Sequence, residues 1–207
     1  DGNPVYINTK SNIASGELIK ANQLYSGGSL GANITGTGMI AGIWDGGQVR
    51  DSHELLTGKV TMQPSQTVTS AAGNDHMTHV SGTMVGKDIG NTARGIAYNA
   101  TSKNYDWDND QTEMIGFAAD GFLISNHSYG LGNGPTQAQW TFGAYNDTAN
   151  EWDAITKNAP FYLPFVAAGN EQASNGSGKT GALQGYDVIT GSSAAKNVVT
   201  VGAVNAD

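Results

Sequence analysis

Short apolar runs alternate along this chain with segments in which apolar residues recur at helical spacing. An uninterrupted apolar run bounded by turn-forming or polar residues is typical of a strand buried on both faces of a sheet. Met39 to Trp44 is a run of this kind. Phe122 to Ser125, Phe161 to Ala168 and Val198 to Val204 are likewise mainly apolar and are interpreted as strands. Pro164 interrupts the third run, so we expect strand pairing there to begin after the proline.

Three other segments have the period of an amphipathic helix. Glu17 to Tyr25 is one, and Asp110 to Glu113 has the form of a capping box that opens a second helix, which ends at Gly121. The third helix carries Tyr145, Ala149, Trp152 and Ile155 on one face. Strands that alternate with helices form parallel βαβ units. The pattern therefore predicts an α/β fold, a three-layer sandwich with a mainly parallel central sheet that binds ligands at the carboxyl ends of its strands.

The composition narrows the classes of function. The 207 residues include 18 Asp plus Glu against 10 Lys plus Arg, and the net charge of −8 argues against a nucleic-acid partner. The absence of cysteine excludes disulfides, a thiolate zinc site and a cysteine nucleophile. No window has the roughly 18 apolar residues of a membrane span, so no membrane partner is expected. No repeat or linker divides the sequence, which predicts one domain, or part of one, over residues 1–207.

Asp45 stands at the carboxyl end of the first predicted strand and is followed by Gly46 and Gly47. Glycines let the chain turn away there, which leaves the carboxylate facing the crevice at the strand ends. Taken alone, the Asp-Gly pair favours an ordinary turn, because it is common turn chemistry.

Two of the four histidines, His76 and His79, lie three residues apart at the start of a predicted helix. This spacing places both rings near one face of the helix. A metal pair is one interpretation, but the zincin pattern needs histidines four residues apart with a glutamate between them. A general base oriented by a carboxylate is another, with Asp45 as the natural partner. The third interpretation is that both histidines are buried and hydrogen-bonded without any chemical role.

Asn170 follows an apolar run that ends in small residues. An amide at the mouth of the sheet can donate to an oxyanion that develops there. For a single asparagine, an Asx turn after the strand is the favoured interpretation.

Together, the three segments resemble the catalytic segments of the subtilisin-like serine proteases (subtilases) in order and in context. They are Asp-x-Gly at Asp45, His-x-Thr-His-Val-x-Gly-Thr at His76 and Ala-Ala-Gly-Asn ending at Asn170. Asn126 to Gly130 is similar to the edge at which the family pairs its backbone with an extended peptide substrate. Val198 to Ala203 is similar to the strand that precedes the family's nucleophile, so the resemblance covers nearly the whole chain.

The resemblance implies a serine endopeptidase that cleaves peptide or protein substrates by acyl transfer through an Asp-His-Ser triad. It implies that Asp45 orients the general base His76, and that Asn170 is the oxyanion donor. His79 corresponds to a second, structural histidine of the helix. The implied walls of the pocket for the residue before the scissile bond are Ser128, Tyr129, Gly130, Ala167, Ala168 and Gly169.

The family's nucleophile motif, Gly-Thr-Ser-Met-Ala after the last predicted strand, does not occur in these 207 residues. Ser192 and Ser193 form the nearest similar stretch, but they precede that strand and are interpreted as loop serines. We therefore expect residues 1–207 to be the N-terminal portion of a single catalytic domain, incomplete at its C-terminus and inactive alone. The catalytic serine is expected in the remainder of the protein's own chain, beyond Asp207.

The triad chemistry requires no cofactor, and no metal site is predicted. Asp106 to Asp110 has the acidic spacing of a calcium loop without the glycine and terminal glutamate of an EF-hand. We therefore favour a solvated acidic loop and a helix cap over structural calcium. Met77 replaces the glycine usual after the catalytic histidine, and its bulk is expected beside the imidazole and the substrate channel.

Two other functions stay open. A non-catalytic subtilase-like module would keep the edge at Ser128 to Gly130 and bind peptides without cleaving them. A metal-dependent hydrolase would use His76 and His79 and would lose activity with chelators. The joint presence of the Asp, His and Asn favours the protease, since a binding module has no use for all three. The start at Asp1 rather than Met, together with the family resemblance, favours a processed and secreted protein.

Overall fold

The computed structural model describes residues 10–90, 93–130, 138–170 and 189–204. The chain divides after Asp108 into two compact units. Each unit contains three parallel strands together with helices, which confirms the predicted α/β class. Among the helices of the described residues, none has the length and hydrophobicity of a membrane-spanning segment.

The first unit orders its strands β2-β3-β1, all parallel. Its elements are α1 (Lys10–Leu18), a 3-10 turn (Ala21–Leu24), β1 (Ile40–Asp45), β2 (Val60–Met62), α2 (Ala71–Val85) and β3 (Thr101–Asp106). Trp44 of β1 is opposite Tyr105 of β3 in the register, and their rings stack at 4.2 Å. The core of this unit includes Ile43, Leu55, Leu56, Val60, Met77 and Val85. Burial of both faces explains why β1 is an uninterrupted apolar run.

The predicted helix over Glu17 to Tyr25 is wrong. The helix α1 ends at Leu18, Lys20 adopts the left-handed conformation with φ 65°, and a short 3-10 turn follows. The break lets Ala21 and Tyr25 enter the interior, where the Tyr25 hydroxyl donates to the Ile96 carbonyl at 2.7 Å. Tertiary packing therefore overrides the local helical period.

The second unit orders its strands β4-β5-β6, again all parallel. Its elements are α3 (Asp110–Ala119), β4 (Ile124–His127), a 3-10 turn (Gln139–Thr141), α4 (Asp147–Asn158), β5 (Leu163–Ala167), a 3-10 turn (Gly191–Ala194) and β6 (Val199–Val201). The face predicted for α4 is buried at Ala149, Trp152 and Ile155, whereas Tyr145 precedes the helix and is exposed. The apolar period therefore identified the inward face of α4 but not its first residue.

Two local predictions for this unit also differ from the structure, that for Asp110 wholly and that for Pro164 on the β4 side only. Asp110 is the first residue of α3 rather than its cap, because Asn109 holds the N-cap position and the Asp110 carboxylate accepts from the Gln111 amide at 2.7 Å. Pro164 lies within β5, paired with Ser125. The Leu163 amide points to the β4 side, where it donates to the Leu123 carbonyl. Successive residues of a strand point their backbone nitrogens to opposite sides, so the Pro164 nitrogen faces β6. The pairing with β6 begins one residue later, at Phe165, so the missing amide breaks no ladder hydrogen bond.

Candidate active site

Asp45 is the last residue of β1 and is almost completely buried. Its Oδ1 accepts a hydrogen bond from the Gly46 amide at 2.7 Å. Burial raises the pKa of the Asp45 carboxyl above its ordinary value, while hydrogen bonds from His76 and Gly46 act in the opposite direction. A buried, hydrogen-bonded carboxylate therefore stands at the carboxyl end of β1.

Close backbone contact brings the start of α2 against the loop that follows Asp45. A Cβ atom on Gly47 would lie 2.3 Å from the Gly73 carbonyl carbon, and one on Gly73 would lie 2.0 Å from the Gly46 oxygen. Neither position tolerates a side chain, so glycine at both sites allows the helix to approach the loop. Ser70 caps the helix there by accepting from the Gly73 amide at 3.0 Å. The glycines after Asp45 thus serve the approach of α2.

Two polar side chains of α2 fix the helix against the same loop. Asn74 Oδ1 accepts from the Gln48 amide at 2.7 Å, and Thr78 Oγ1 accepts from the Arg50 amide at 2.9 Å. Residues four apart share a helix face, so both bonds fix the same face of α2, one contributed by a residue before His76 and one by a residue after it. Sequence reasoning missed both supports, although polar residues two positions before and after the histidine were a visible signal.

His76 Nδ1 lies 2.8 Å from both carboxylate oxygens of Asp45. An ionised carboxylate only accepts, so Nδ1 carries the proton and donates it, which leaves the lone pair on Nε2. The His76 side chain is 51% exposed, whereas that of Asp45 is 3% exposed. This geometry presents a basic nitrogen to the outside while the buried carboxylate fixes the tautomer and orientation of the ring.

The structure supports neither His79 as a metal partner of His76 nor Met77 as an obstruction beside the imidazole. His79 is exposed on α2, and no group of three His, Cys, Asp or Glu side chains in the described parts of the chain is placed to hold a metal ion. The expectation that Met77 crowds the imidazole and the substrate channel is wrong. Met77 is fully buried in the core, where its sulfur accepts from Asn104 Nδ2 at 3.3 Å.

The loop Asp106 to Asp110 is predicted to be solvated, but its first residue is buried. Asp106 is buried at the end of β3, and its Oδ2 accepts from the Thr67 and Val68 amides at 2.6 and 2.8 Å. The Asp108 amide donates to its other oxygen at 2.9 Å. Backbone donors therefore satisfy this carboxylate and pin the loop, which is how a buried charge is tolerated.

The remaining predicted residues belong to the second unit, where two of the segments are neighbours. His127 of β4 pairs with Val166 of β5, so Ser128 to Gly130 and Ala167 to Gly169 leave adjacent parallel strands at the same carboxyl edge. The Ala168 amide still pairs with the Val201 carbonyl, and Gly169 has a positive φ of 102°. The two segments predicted to form the pocket walls therefore continue two neighbouring strands, β4 and β5.

Asn170 lies at a bend three residues beyond the end of β5 and is exposed. Ser192 and Ser193 occupy the buried 3-10 turn before β6. The Ser193 hydroxyl donates to the Ala167 carbonyl at 2.8 Å, and the Ser193 carbonyl accepts from Thr200. This serine therefore joins the turn to the end of β5 through its hydroxyl and to Thr200 of β6 through its carbonyl.

A family model described as the subtilase family, peptidase S8, matches residues 36–207. The matched region contains Asp45, His76, Asn170 and both segments at the edge of the second unit. No curated protein matches the chain.

Proposed function

We propose that this chain, which belongs to the subtilase family, provides the general base and its orienting carboxylate in a serine endopeptidase. Family membership establishes a serine-peptidase function in general terms. The finer assignment is carried by one observation, the contact of His76 Nδ1 with both Asp45 oxygens at 2.8 Å.

In this proposal, His76 Nε2 takes the proton of a serine hydroxyl as that oxygen attacks the peptide carbonyl. Asp45 keeps the proton on Nδ1 and stabilises the imidazolium that forms. The imidazolium then protonates the leaving amine, and an acyl-enzyme remains. Water, activated by the same nitrogen, attacks the acyl-enzyme and restores the serine. The exposure of the His76 side chain supports this role, because a base must be reachable by its substrate.

Asn170 is proposed as a donor to the tetrahedral oxyanion, together with a backbone N–H. Its exposed position beyond β5 supports this role, because the donor must face the substrate. Ser128 to Gly130 and Ala167 to Gly169 are proposed to line the pocket of the residue before the scissile bond. Their shared position at the carboxyl edge of β4 and β5 supports this assignment, since ligands of parallel sheets bind at that edge.

The attacking serine is proposed to come from the remainder of the protein's own chain, beyond Asp207. Two observations support this. The nucleophile motif of the family does not occur in residues 1–207, and the hydroxyl of Ser193, in the most similar stretch, is buried and donates to a backbone carbonyl. The proposal includes a secreted location and a peptide or protein substrate, with no cofactor in the chemistry.

The test compares labelling by a fluorophosphonate probe with peptide cleavage. We expect the complete protein to be labelled at one serine beyond Asp207 and to cleave denatured casein, and residues 1–207 alone to do neither. His76→Ala or Asp45→Ala in the complete protein should abolish cleavage and leave the circular dichroism spectrum unchanged, while His79→Ala should retain cleavage.

Retained cleavage in the His76 or Asp45 variant would show that the base is assigned incorrectly. Tight peptide binding without any cleavage in the complete protein would favour the non-catalytic binding module. Loss of cleavage on chelation and in the His79 variant would favour the metal-dependent hydrolase.

A further inference from the structure

A second histidine, His127, is completely buried at the end of β4 in the second unit. Residues two apart lie on one face of an extended chain, and Ser125, His127 and Tyr129 follow this spacing. Ser125 Oγ lies 2.8 Å from His127 Nε2, and His127 Nδ1 lies 3.0 Å from the Tyr129 hydroxyl. The Tyr129 hydroxyl donates to Asp110 Oδ2 at 2.7 Å. Four side chains therefore form one continuous hydrogen-bonded row.

The direction of every bond in this row follows from its acidic end. Because the Tyr129 proton goes to Asp110, the Tyr129 oxygen must accept the proton of His127 Nδ1. His127 Nε2 then has no proton and accepts from Ser125. Ser125 Oγ in turn accepts from the Tyr162 hydroxyl, which lies 2.5 Å away on the segment leading into β5. The donors run from Tyr162 to Asp110 without a break, and only one tautomer of His127 satisfies them all.

Its surroundings keep His127 uncharged and fixed in orientation. The ring meets Trp152 of α4 edge to face, with 4.6 Å between the centroids. Burial lowers the pKa of His127 from 6.5 to about 3, so the ring is neutral over the ordinary pH range. A neutral, completely buried histidine is unavailable to a substrate. It has no place in the proposed catalytic chemistry.

The far end of the row lies at the N-terminus of α3. Asp110 is the first residue of α3, and its second oxygen accepts from the Gln111 amide at 2.7 Å. A carboxylate is favoured in the first turn of a helix by the helix dipole. On the adjoining residues of β4, Asn126 Nδ2 donates to Ser128 Oγ at 2.8 Å. Both Ser128 and Tyr129 are thus tied down by side-chain hydrogen bonds.

We propose that His127 and Tyr129 are positioning residues that hold the backbone of Ser128 to Gly130 in the extended shape needed to pair with a peptide substrate. The inference rests on the proposed function, in which these three residues form a substrate-binding edge. It explains why a polar row is maintained in the interior, where each unsatisfied member would be costly. The row acts through the edge and touches no reacting atom.

The test uses Tyr129→Phe in the complete protein, with Tyr145→Phe as the matched control. The Tyr145 hydroxyl also donates to a carboxylate of the second unit, Asp153 Oδ2, at 2.8 Å. Both variants lose one Tyr–Asp hydrogen bond, but only the first loses it at the edge. We expect the amide hydrogens of Ser128 to Gly130 to exchange about tenfold faster in Tyr129→Phe and at the parental rate in Tyr145→Phe.

For a peptide long enough to pair with the edge, Tyr129→Phe should raise KM about tenfold with kcat within about twofold of the parent, the size of one lost hydrogen bond. In the control Tyr145→Phe, KM, kcat and the rate of fluorophosphonate labelling should all stay at their parental values, because its lost hydrogen bond lies away from the edge. Nitrogen NMR of His127 should show the proton on Nδ1 in the parent.

Equal exchange rates and equal KM in the two tyrosine variants would overturn the inference, as would a proton on Nε2 of His127. A parallel fall in kcat and in the labelling rate of Tyr129→Phe would also overturn it, because the effect would then be general. If the complete protein cleaves no peptide, the proposed function fails on that result, whereas the exchange rates and the tautomer still decide this inference.

Discussion

Each unit contains a histidine linked to an aspartate, and one member of each pair ends a parallel strand, Asp45 in β1 and His127 in β4. The two histidines have different roles. His76 contacts Asp45 directly at 2.8 Å and has half of its side chain exposed. His127 reaches Asp110 only through Tyr129 and is completely buried. A link to an aspartate is therefore not sufficient to identify a histidine as a general base. Access to Nε2 from outside is what distinguishes His76.

The largest expected effect comes from changing which nitrogen of His76 carries its proton. In Asp45→Asn, the new amide can donate to Nδ1, which moves the proton to Nε2 and removes the base. We expect kcat/KM of the complete enzyme for a peptide to fall about 10⁴-fold with little loss of stability. Asp153→Asn is the control, since Asp153 is another buried carboxylate, bonded to the Lys196 and Asn197 amides. It should lower stability and leave kcat/KM within about threefold. Similar losses of activity in both variants would remove the distinction.

The next effect is on stability and should fall on the other histidine. His127→Leu leaves Ser125 and Tyr129 without their partner in the interior, and we expect it to lower the free energy of unfolding by about 3 kcal/mol. His76→Leu removes the His76 donor but leaves the Gly46 amide on the Asp45 carboxylate, and its side chain is half exposed, so we expect a smaller loss of about 1 kcal/mol. Urea unfolding of the complete protein measures both. A larger loss in the His76 variant would contradict the roles assigned here.

Acidification should lower the stability of the folded protein through His127. The pKa of His127 is about 3 in the folded protein against an ordinary value of 6.5. As the pH falls through 6.5, the unfolded chain binds this proton and the folded chain does not, so stability is lost between pH 6.5 and pH 3. The maximum slope is about 1.4 kcal/mol per pH unit. Burial raises the pKa of Asp110, which contributes with the opposite sign.

The measurement is the difference in unfolding free energy between the parent and His127→Gln as a function of pH. Subtraction removes the contribution of groups that both proteins share. We expect the destabilisation caused by the substitution to shrink on acidification from pH 6.5. A difference that does not depend on pH would mean that His127 titrates normally in the folded protein.

The smallest effect concerns the helix that carries His76. Ser70→Ala removes the side-chain cap of α2 and should cost about 1 kcal/mol of stability. Asn146→Ala removes the equivalent cap of α4, where Asn146 accepts from the Ala149 amide at 3.1 Å, and should cost a similar amount. Only the Ser70 variant should also slow peptide cleavage, because only α2 orients the base. Equal activity in the two variants would show that the other contacts of α2 hold His76 by themselves.

Local pattern was sufficient for some elements and misleading for others. The apolar run of β1 and the periodic face of α4 identified a buried strand and a helix, because each pattern reflects the burial of that one element. The break at Lys20 and the role of Asp110 could not be predicted in this way. Both depend on distant groups, the Ile96 carbonyl for Tyr25 and the Tyr129 hydroxyl for Asp110.

The α/β class, the family and the residue types of the candidate site are predictable from the chain, since the order and local context of Asp45, His76 and Asn170 are properties of the sequence. The packing of distant segments was needed to show that Gly47 and Gly73 allow α2 to bring His76 onto Asp45, and that His127 is enclosed in a directed hydrogen-bonded row. The physical reason is that exposure and tautomer are set by neighbours distant in sequence. Those two properties make one histidine a base and the other a support.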